Sequence, residues 1–184
     1  VVGGSLRDLL RGETPCDWDI ATTAAPSLVM RLFRRTVPTG VAHGTVTVLT
    51  ENASVEVTTL RGEGAYTDGR RPDAVVFLDD IEEDLARRDF TINAMAFEPL
   101  AGTFHDPFGG REDLGRRIIR AVGAPLERFT EDALRVLRAA RFSATLEFDI
   151  EPATRAAMAE ASGGLTRVSA ERKRDELKKL LLAR

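Results

Sequence analysis

Residues 1–22, VVGGSLRDLLRGETPCDWDIAT, hold a glycine pair and an aspartate pair beside two short apolar segments. Val1-Val2 is predicted to end a strand that runs into Gly3-Gly4, and Ser5 is predicted to cap a short helix. Residues 17–21 are predicted to form a further short strand. This order of strand, turn, helix and strand indicates a domain in which helices pack on a sheet.

The aspartates of this stretch, Asp17 and Asp19, are two residues apart. On a strand, alternate side chains share a face, so both carboxylates are expected on one side and Trp18 on the other. Carboxylate oxygens in this arrangement are suitable ligands for magnesium ions that also bind phosphate. A pair of this kind, with nothing else known, is more often solvated than catalytic.

Two further features bear on the aspartate pair. The Gly3-Gly4-Ser5 turn presents backbone N–H groups and a positive helix end, where a triphosphate would bind, although glycine pairs also form plain turns. Glu56 lies in a predicted strand over residues 54–59, on the face opposite its two valine neighbours. It is therefore either a third acidic residue of the site or an exposed strand glutamate.

The remaining pattern predicts an α+β fold up to about residue 122, followed by an all-helical segment over residues 123–184. The boundary is placed at the turn-forming residues 123–125. Strands are predicted at residues 45–49, 54–59, 95–97, 103–105 and 118–122, and helices at residues 26–35, from 80 onward, 113–116, 130–143, 152–161 and 169–182.

The composition excludes several classes of protein. Apolar residues make up 43% of the 184 residues and charged residues 30%, which is too apolar for a disordered chain. A net charge of −3 argues against a nonspecific nucleic-acid coat protein. The single cysteine, Cys16, excludes an internal disulfide, is typical of a reducing cytoplasm, and argues against a structural zinc site. No stretch of the sequence has the length and apolarity of a membrane span.

Five blocks of sequence, in order, resemble the signature of class II tRNA nucleotidyltransferases, the bacterial-type CCA-adding enzymes and poly(A) polymerases of the polymerase β-like superfamily. The blocks are GGSLRDLL at residues 3–10 with DWDIAT at 17–22, RRDFTINAMA at 87–96, DPFGG at 106–110 with DL at 113–114, EDALR at 131–135 continuing through Arg138 and Arg141-Phe142, and SAER at 169–172 with EL at 176–177.

The resemblance implies a polymerase β-like nucleotidyltransferase head over residues 1–122, with a small mixed or antiparallel sheet and flanking helices. Residues 123–184 would be the helical neck that carries the nucleotide template. Members of this family continue into body and tail domains that grip the tRNA elbow, and these domains are absent from the 184 residues.

The same resemblance implies template-independent addition of CCA to tRNA 3′ ends from CTP and ATP. Asp17 and Asp19 would hold two Mg²⁺ ions, with Mn²⁺ as an alternative, and Glu56 would complete the catalytic acids. One ion would activate the RNA 3′-hydroxyl and the other would neutralise the leaving pyrophosphate. The sequence predicts no oligomeric state.

The resemblance also assigns residues to the incoming nucleotide. Arg88, Asp89 and Asn93 correspond to the family's ribose-reading motif, although Arg87-Arg88-Asp89 alone would favour a surface salt-bridge cluster. The full nucleotide-binding set is Gly3, Gly4, Ser5, Arg7, Arg88, Asp89, Asn93, Asp132, Arg135, Arg138 and Arg141. Arg138 and Arg141 are expected either to reach triphosphate oxygens or to be solvated.

Base selection is assigned by the resemblance to Glu131, Asp132 and Arg135, which spacing places on one face of a single helix. In the family an Asp–Arg pair imitates a Watson–Crick partner through the planar arginine fork. By spacing alone, a helix-stabilising ion pair would be the default interpretation.

Residues 61–72 resemble the family's flexible loop, which is associated with switching from C to A addition and is shortened in CC-adding relatives. The loop residues are Arg61, Tyr66, Asp68, Gly69, Arg70 and Arg71. Residues 37–46 resemble the CCA-adding pattern rather than the basic signature of poly(A) polymerases. An A-adding specialist or poly(A) polymerase stays an alternative, as does a nucleotide- or RNA-binding module without catalysis.

Overall fold

The structure is a computed structural model that describes residues 1–41, 44–62, 76–77 and 80–182, with the backbone alone for 61–62 and 76–77. It divides into two compact units. The first unit consists of Val1–Arg88 and Asn93–Pro107, and the second unit consists of Asp89–Ile92 and Phe108–Arg184. The described helices are α1 Gly3–Leu10, α2 Pro26–Leu32, α3 Ile81–Ala86, α4 Gly110–Arg116, α5 Pro125–Glu131, α6 Leu134–Leu146, α7 Pro152–Ala161 and α8 Ala170–Leu182, with 3₁₀ turns at Thr91–Asn93 and Ser162–Arg167. The strands are β1 Trp18–Thr22, β2 Thr36–Gly40, β3 Thr45–Leu49, β4 Ser54–Thr59, β5 Arg61–Gly62, β6 Val76–Phe77, β7 Ala96–Glu98, β8 Thr103–His105, β9 Ile118–Ile119 and β10 Asp149–Ile150.

The first unit is built on a four-stranded sheet with the order β1-β4-β3-β2. β1 is parallel to β4, and the other two pairs are antiparallel. In β3 the valines point inward and the threonines are half-buried, so Val46 and Val48 join Val29 of α2 in the core. The mixed helix and sheet architecture confirms the predicted α+β class.

The strands at residues 45–49 and 54–59 were predicted with the observed bounds, because each alternates apolar and polar residues. β2 was missed. It contains Pro38 and has a single aliphatic residue, Val37, so it lacks the alternation that marks a half-buried strand. Its position at the edge of the sheet tolerates the proline.

Two helix predictions in the first unit are wrong in detail. Ser5 does not cap α1, since the helix begins at Gly3 and the Ser5 hydroxyl donates to the Val2 carbonyl at 2.8 Å. α2 ends at Leu32 rather than residue 35, and its buried apolar residue is Val29, whereas Leu32 and Phe33 are exposed.

The second unit is mostly helical, with a core that includes Phe90, Phe129 and Phe142. The Phe90 and Phe142 rings pack edge to face with centroids 5.8 Å apart. The unit also contains a short parallel pair, β9 with β10, so its chain is not all helical. This pair ties Ile118-Ile119 to the helices, which is why the observed grouping differs from a division at residue 122.

The predicted helix over residues 130–143 is two helices. α5 ends at Glu131, and Asp132 has extended backbone angles, φ −143° and ψ 99°. The Asp132 carboxylate then accepts a hydrogen bond at 3.1 Å from the backbone N–H of Leu134, the first residue of α6. In the described part of the chain, no helix is long and apolar enough to cross a membrane.

Candidate active site

Two of the three predicted acidic residues lie on the parallel strand pair of the first unit. Asp19 of β1 is the register partner of Glu56 of β4, and Asp17 directly precedes β1. Residues paired in this way project to the same face of a sheet. The start of α1 is tied to this strand, because Val2 N donates to the Asp19 carbonyl at 3.0 Å and Asp19 N donates to the Ser5 hydroxyl at 3.3 Å.

The carboxylates interact electrostatically. Burial, followed by the charges of Glu56 and Asp17, raises the pKa of Asp19, while Arg88 and Arg7 partly oppose the rise. Concentrated negative charge on hard oxygen atoms fits a divalent cation, which would neutralise it. Among the residues that the structure describes, no three His, Cys, Asp or Glu side chains already form a metal-binding group.

Gly3 makes room for the Arg88 guanidinium beside Asp19. Its φ is +67°, and a Cβ built on it would lie 2.8 Å from Arg88 Nη1 and 3.4 Å from Asp19 Oδ2. A side chain at this position would therefore strain the backbone and displace the Arg88 guanidinium. Gly3 N donates a long hydrogen bond of 3.4 Å to the Met95 carbonyl, and a Cβ on Gly4 would face the Arg7 guanidinium at 3.6 Å.

The structure brings three predicted nucleotide-binding residues of the first unit together. Arg7 Nη1 donates to Asn93 Oδ1 at 2.8 Å, and Arg88 Nη1 donates to the Asn93 carbonyl at 3.2 Å. Arg88 Nη2 also donates to Asp84 Oδ2 at 3.1 Å. Because Asp84 is 1% exposed and Asp89 is 8% exposed, residues 87–89 are not a surface salt-bridge cluster.

Asp84 was missed by the sequence analysis, although it lies four residues before Arg88 in a predicted helix. It accepts hydrogen bonds from both Arg87 and Arg88. Burial acts to raise the pKa of Asp84, but the two guanidinium charges and their hydrogen bonds outweigh it and lower that pKa. The carboxylate is therefore ionised in the interior of the first unit.

The second unit contains a continuous row of ion pairs, which is formed by Asp89, Arg138, Glu176 and Arg141. Arg138 Nε donates to Asp89 Oδ2 at 2.7 Å, and Arg138 Nη1 lies 3.5 Å from Glu176 Oε1. Arg141 Nε donates to Glu176 Oε2 at 2.6 Å. Burial acts to lower the pKa of Arg138, but Asp89 and Glu176 outweigh it and raise that pKa.

This row corrects the expectation that Arg138 and Arg141 could be solvated, whereas their expected contact with triphosphate oxygens stays a prediction. Their partner Glu176 is 6% exposed and was absent from the predicted site. Its signal was present in the fifth block, where it stands four residues after Arg172 on the same face of a helix.

The predicted template residues have two sets of partners. Arg135 Nη1 donates to Glu131 Oε2 at 2.7 Å, so these two residues are brought together across the break between α5 and α6. Asp132 accepts a hydrogen bond from Arg172 Nη2 at 2.7 Å. The interpretation that all three residues lie on one continuous helix is wrong, since Asp132 is in the break. Of the predicted loop residues, the backbone of Arg61 lies in β5, whereas Tyr66, Asp68, Gly69, Arg70 and Arg71 lie outside the described residues.

Comparison with known proteins connects this geometry to a family. Residues 1–120 match the family model described as the Poly A polymerase head domain, and residues 147–184 match that of the probable RNA and SrmB-binding site of polymerase A. The chain is 52% identical over 181 residues to the CCA-adding enzyme of Leuconostoc mesenteroides and 51% identical over 183 residues to that of Bacillus subtilis. These alignments cover 98% and 100% of the chain but 45% and 46% of the relatives, so the chain spans slightly less than half their length.

Solved structures agree with these matches. The crystal structure of the Bacillus stearothermophilus CCA-adding enzyme in complex with CTP superposes with a TM-score of 0.88 at 46% identity, covering 98% of this chain and 43% of that one. The Thermotoga maritima CCA-adding enzyme complexed with tRNA superposes with a TM-score of 0.79 at 31% identity, covering 100% of this chain and 43% of that one. The chain therefore belongs to the class II tRNA nucleotidyltransferases, the family that its five sequence blocks predicted.

Proposed function

We propose that the protein transfers nucleotides from CTP and ATP to the 3′ end of tRNA and so completes the CCA terminus. The observation that carries this proposal is the register pairing of Asp19 with Glu56, with Asp17 two residues before Asp19. Such a grouping of carboxylates on one sheet face suits a metal-assisted phosphoryl transfer. The structures with CTP and with tRNA cited above are of proteins similar to this chain over nearly its whole length.

Nucleotidyltransferases of this family generally use divalent metal ions, and we propose two Mg²⁺ ions, with Mn²⁺ as a substitute. Asp17 and Asp19 would hold them, and Glu56 would complete the acidic set. Bound metal supplies a more acidic RNA 3′-hydroxyl and charge neutralisation for pyrophosphate. Burial, followed by the charges of Glu56 and Asp17, raises the pKa of Asp19, and this supports the assignment because a bound cation would relieve the repulsion among the three carboxylates.

The chain's own residues would orient the nucleotide. The residues proposed to bind its ribose and phosphates are Gly3, Gly4, Ser5, Arg7, Arg88 and Asn93 in the first unit, and Asp89, Arg138 and Arg141 in the second. Arg138 keeps its charge because Asp89 and Glu176 stabilise the protonated form. A fixed cation of this kind stabilises phosphate charge without reorganising during the reaction.

Base selection is proposed for Glu131, Asp132 and Arg135. Glu131 holds Nη1 of the Arg135 guanidinium, and the planar fork of an arginine is what a Watson–Crick-like template requires. Residues 1–122 would then be the nucleotidyltransferase head and residues 123–184 the neck. The loop residues Arg61, Tyr66, Asp68, Gly69, Arg70 and Arg71 are proposed to switch addition from C to A. Because tRNA is the proposed substrate, a cytoplasmic location is proposed as well.

Incorporation of labelled nucleotide tests the proposal. The protein is offered tRNAs that lack CCA, end in C or end in CC, with CTP and ATP supplied singly and together. We expect both nucleotides to be added in order, and no incorporation by the Asp17→Ala/Asp19→Ala variant. Use of ATP alone on tRNA ending in CC would identify an A-adding enzyme, and serial ATP addition to any RNA would identify a poly(A) polymerase. Nucleotide binding without incorporation would identify a module that lacks catalysis.

A further inference from the structure

We propose that Asp84 is a positioning residue, which holds the Arg88 guanidinium beside Asp19 and directs one of its N–H groups to an oxygen atom of the incoming nucleotide. The inference rests on the proposed function only for the identity of that oxygen. The positioning itself follows from the contacts within the first unit.

Asp84 is a buried, ionised carboxylate. Its side chain is 2% exposed and forms ion pairs with Arg87 and Arg88. A buried carboxylate is costly to remove from water and is retained only where donors compensate for the lost hydration. Replacement by an apolar residue would leave the two guanidinium groups without this partner, so a structural role alone would already constrain the position.

The geometry of Arg88 points to more than a structural role. Arg88 follows the end of α3, so its side chain is not oriented by a continuing helix. Two of its nitrogens are held, Nη2 by the Asp84 carboxylate at 3.1 Å and Nη1 by the Asn93 carbonyl at 3.2 Å. These bonds from opposite ends of the guanidinium determine its plane.

The third nitrogen of the guanidinium, Nε, has no acceptor among the described residues. Among the described residues, Arg88 Nε is the buried side-chain nitrogen or oxygen that has no hydrogen-bond partner. An unsatisfied N–H in such a place costs free energy unless an acceptor arrives. The guanidinium also lies beside Asp19 Oδ2, as shown by the space around Gly3, so an acceptor bound at the carboxylates would be within reach of this arginine.

Arg87 provides a matched control. It also pairs with Asp84, through Nε at 3.0 Å and through Nη2. Arg88, by contrast, also lies beside Asp19 Oδ2, as the space around Gly3 shows. Loss of Arg87 therefore removes a similar ion pair from Asp84 while leaving the orientation of Arg88 to its other contacts.

NMR of the arginine Nε–Hε groups tests the positioning directly. In the wild-type protein we expect a rigid Arg88 signal that shifts on addition of CTP. Asp84→Asn should make this side chain mobile, Asp84→Glu should partly restore its order, and Arg87→Gln should leave it rigid. A rigid Arg88 signal in a folded Asp84→Asn protein would overturn the proposal, whether or not the protein proves to be a nucleotidyltransferase.

Kinetics test the consequence for the nucleotide. Asp84→Asn should raise the KM for CTP about tenfold with little change in kcat, as expected for loss of one charge-assisted hydrogen bond to substrate. Arg87→Gln should leave KM within about twofold of the wild-type value. The Asp84→Asn/Arg88→Gln double variant should be no worse than Arg88→Gln alone, since Asp84 acts through Arg88. Additive losses in the double variant, or equal losses in Asp84→Asn and Arg87→Gln, would contradict the positioning role. If the wild-type protein incorporates no nucleotide, the proposed function fails, and the NMR comparison still decides the role of Asp84.

Discussion

Asp19 and Glu56 are register partners on parallel strands, although 36 residues separate them along the chain. Their pairing places two carboxylates side by side and, together with burial, raises the pKa of Asp19. The fold thus concentrates like charges at a position where repulsion opposes folding. Such a cost is expected at a site whose ligand is a cation.

Asp19→Asn is expected to raise the free energy of unfolding in the absence of divalent cations while abolishing nucleotide incorporation. Because the folded-state pKa of Asp19 lies above its unfolded value, ionisation destabilises the folded protein. This free-energy cost is absent when the pH is below the pKa of Asp19 in the unfolded state, and it is complete when the pH is above the pKa of Asp19 in the folded state. Wild-type stability should therefore fall as pH rises through this window, and the variant should lack that part of the fall.

Urea denaturation across this pH range, with and without Mg²⁺, measures the effect. Mg²⁺ should stabilise the wild-type protein more than Asp19→Asn, because only the wild type has the complete carboxylate pair. Glu51→Gln, a change of an exposed turn residue, is the control and should leave the pH dependence unaltered. A variant no more stable than the wild type would argue against repulsion at Asp19.

A comparison of Gly3→Ala with Gly12→Ala distinguishes the effect of backbone strain from the effect of a steric clash. Both glycines have positive φ, +67° and +78°, so each alanine should cost about 1–2 kcal/mol of stability. A Cβ at Gly3 meets Arg88 Nη1 at 2.8 Å, whereas a Cβ at Gly12 has nothing within 4 Å. We therefore expect Gly3→Ala to lose at least as much stability as Gly12→Ala in thermal melts, and Gly3→Ala alone to bind CTP more weakly in titration calorimetry. Equal CTP affinities would contradict the proposed closeness of Gly3 and Arg88.

Glu176→Ala should destabilise the second unit by about 3–5 kcal/mol, since it leaves Arg138 and Arg141 without their shared buried carboxylate. Glu171→Ala, an exposed residue of the same helix, should change stability by no more than about 0.5 kcal/mol. Hydrogen exchange of the α6 and α8 amides measures both effects. Similar protection in the two variants would show that the ion-pair row contributes little.

Arg135→Lys should alter the choice between CTP and ATP more than it alters stability. Lysine retains the charge beside Glu131 but loses the planar fork that a base-pairing template needs. We expect the ratio of kcat/KM for CTP and ATP to change by about tenfold or more. Arg116→Lys, in the exposed pair with Glu112, is the control and should leave the ratio unchanged. An unchanged ratio in Arg135→Lys would remove this residue from the template.

Local patterns in the sequence were sufficient wherever the structure is governed by near neighbours. Alternation in residues 45–49 and 54–59 predicted both strands, and the helix at residues 152–161 has the predicted bounds. Motif order predicted the family. The break at Asp132 was missed because the residues around it are compatible with a helix, and its carboxylate is instead held by Leu134 N and by Arg172, 40 residues away.

The sequence by itself determined the α+β class, the family and the presence of carboxylates, arginines and a glycine turn in a definite order. Only the tertiary structure decided which of these side chains meet. Sequence spacing indicates contacts between residues that are two to four positions apart. The pairing of Asp19 with Glu56 depends instead on strand register, and the pairing of Arg138 with Glu176 depends on helix packing. The position of the buried Asp84 depends on both the sequence and the tertiary structure. Its spacing to Arg88 is visible in the sequence, but the burial that makes this pair a positioning device for the site is set by the fold.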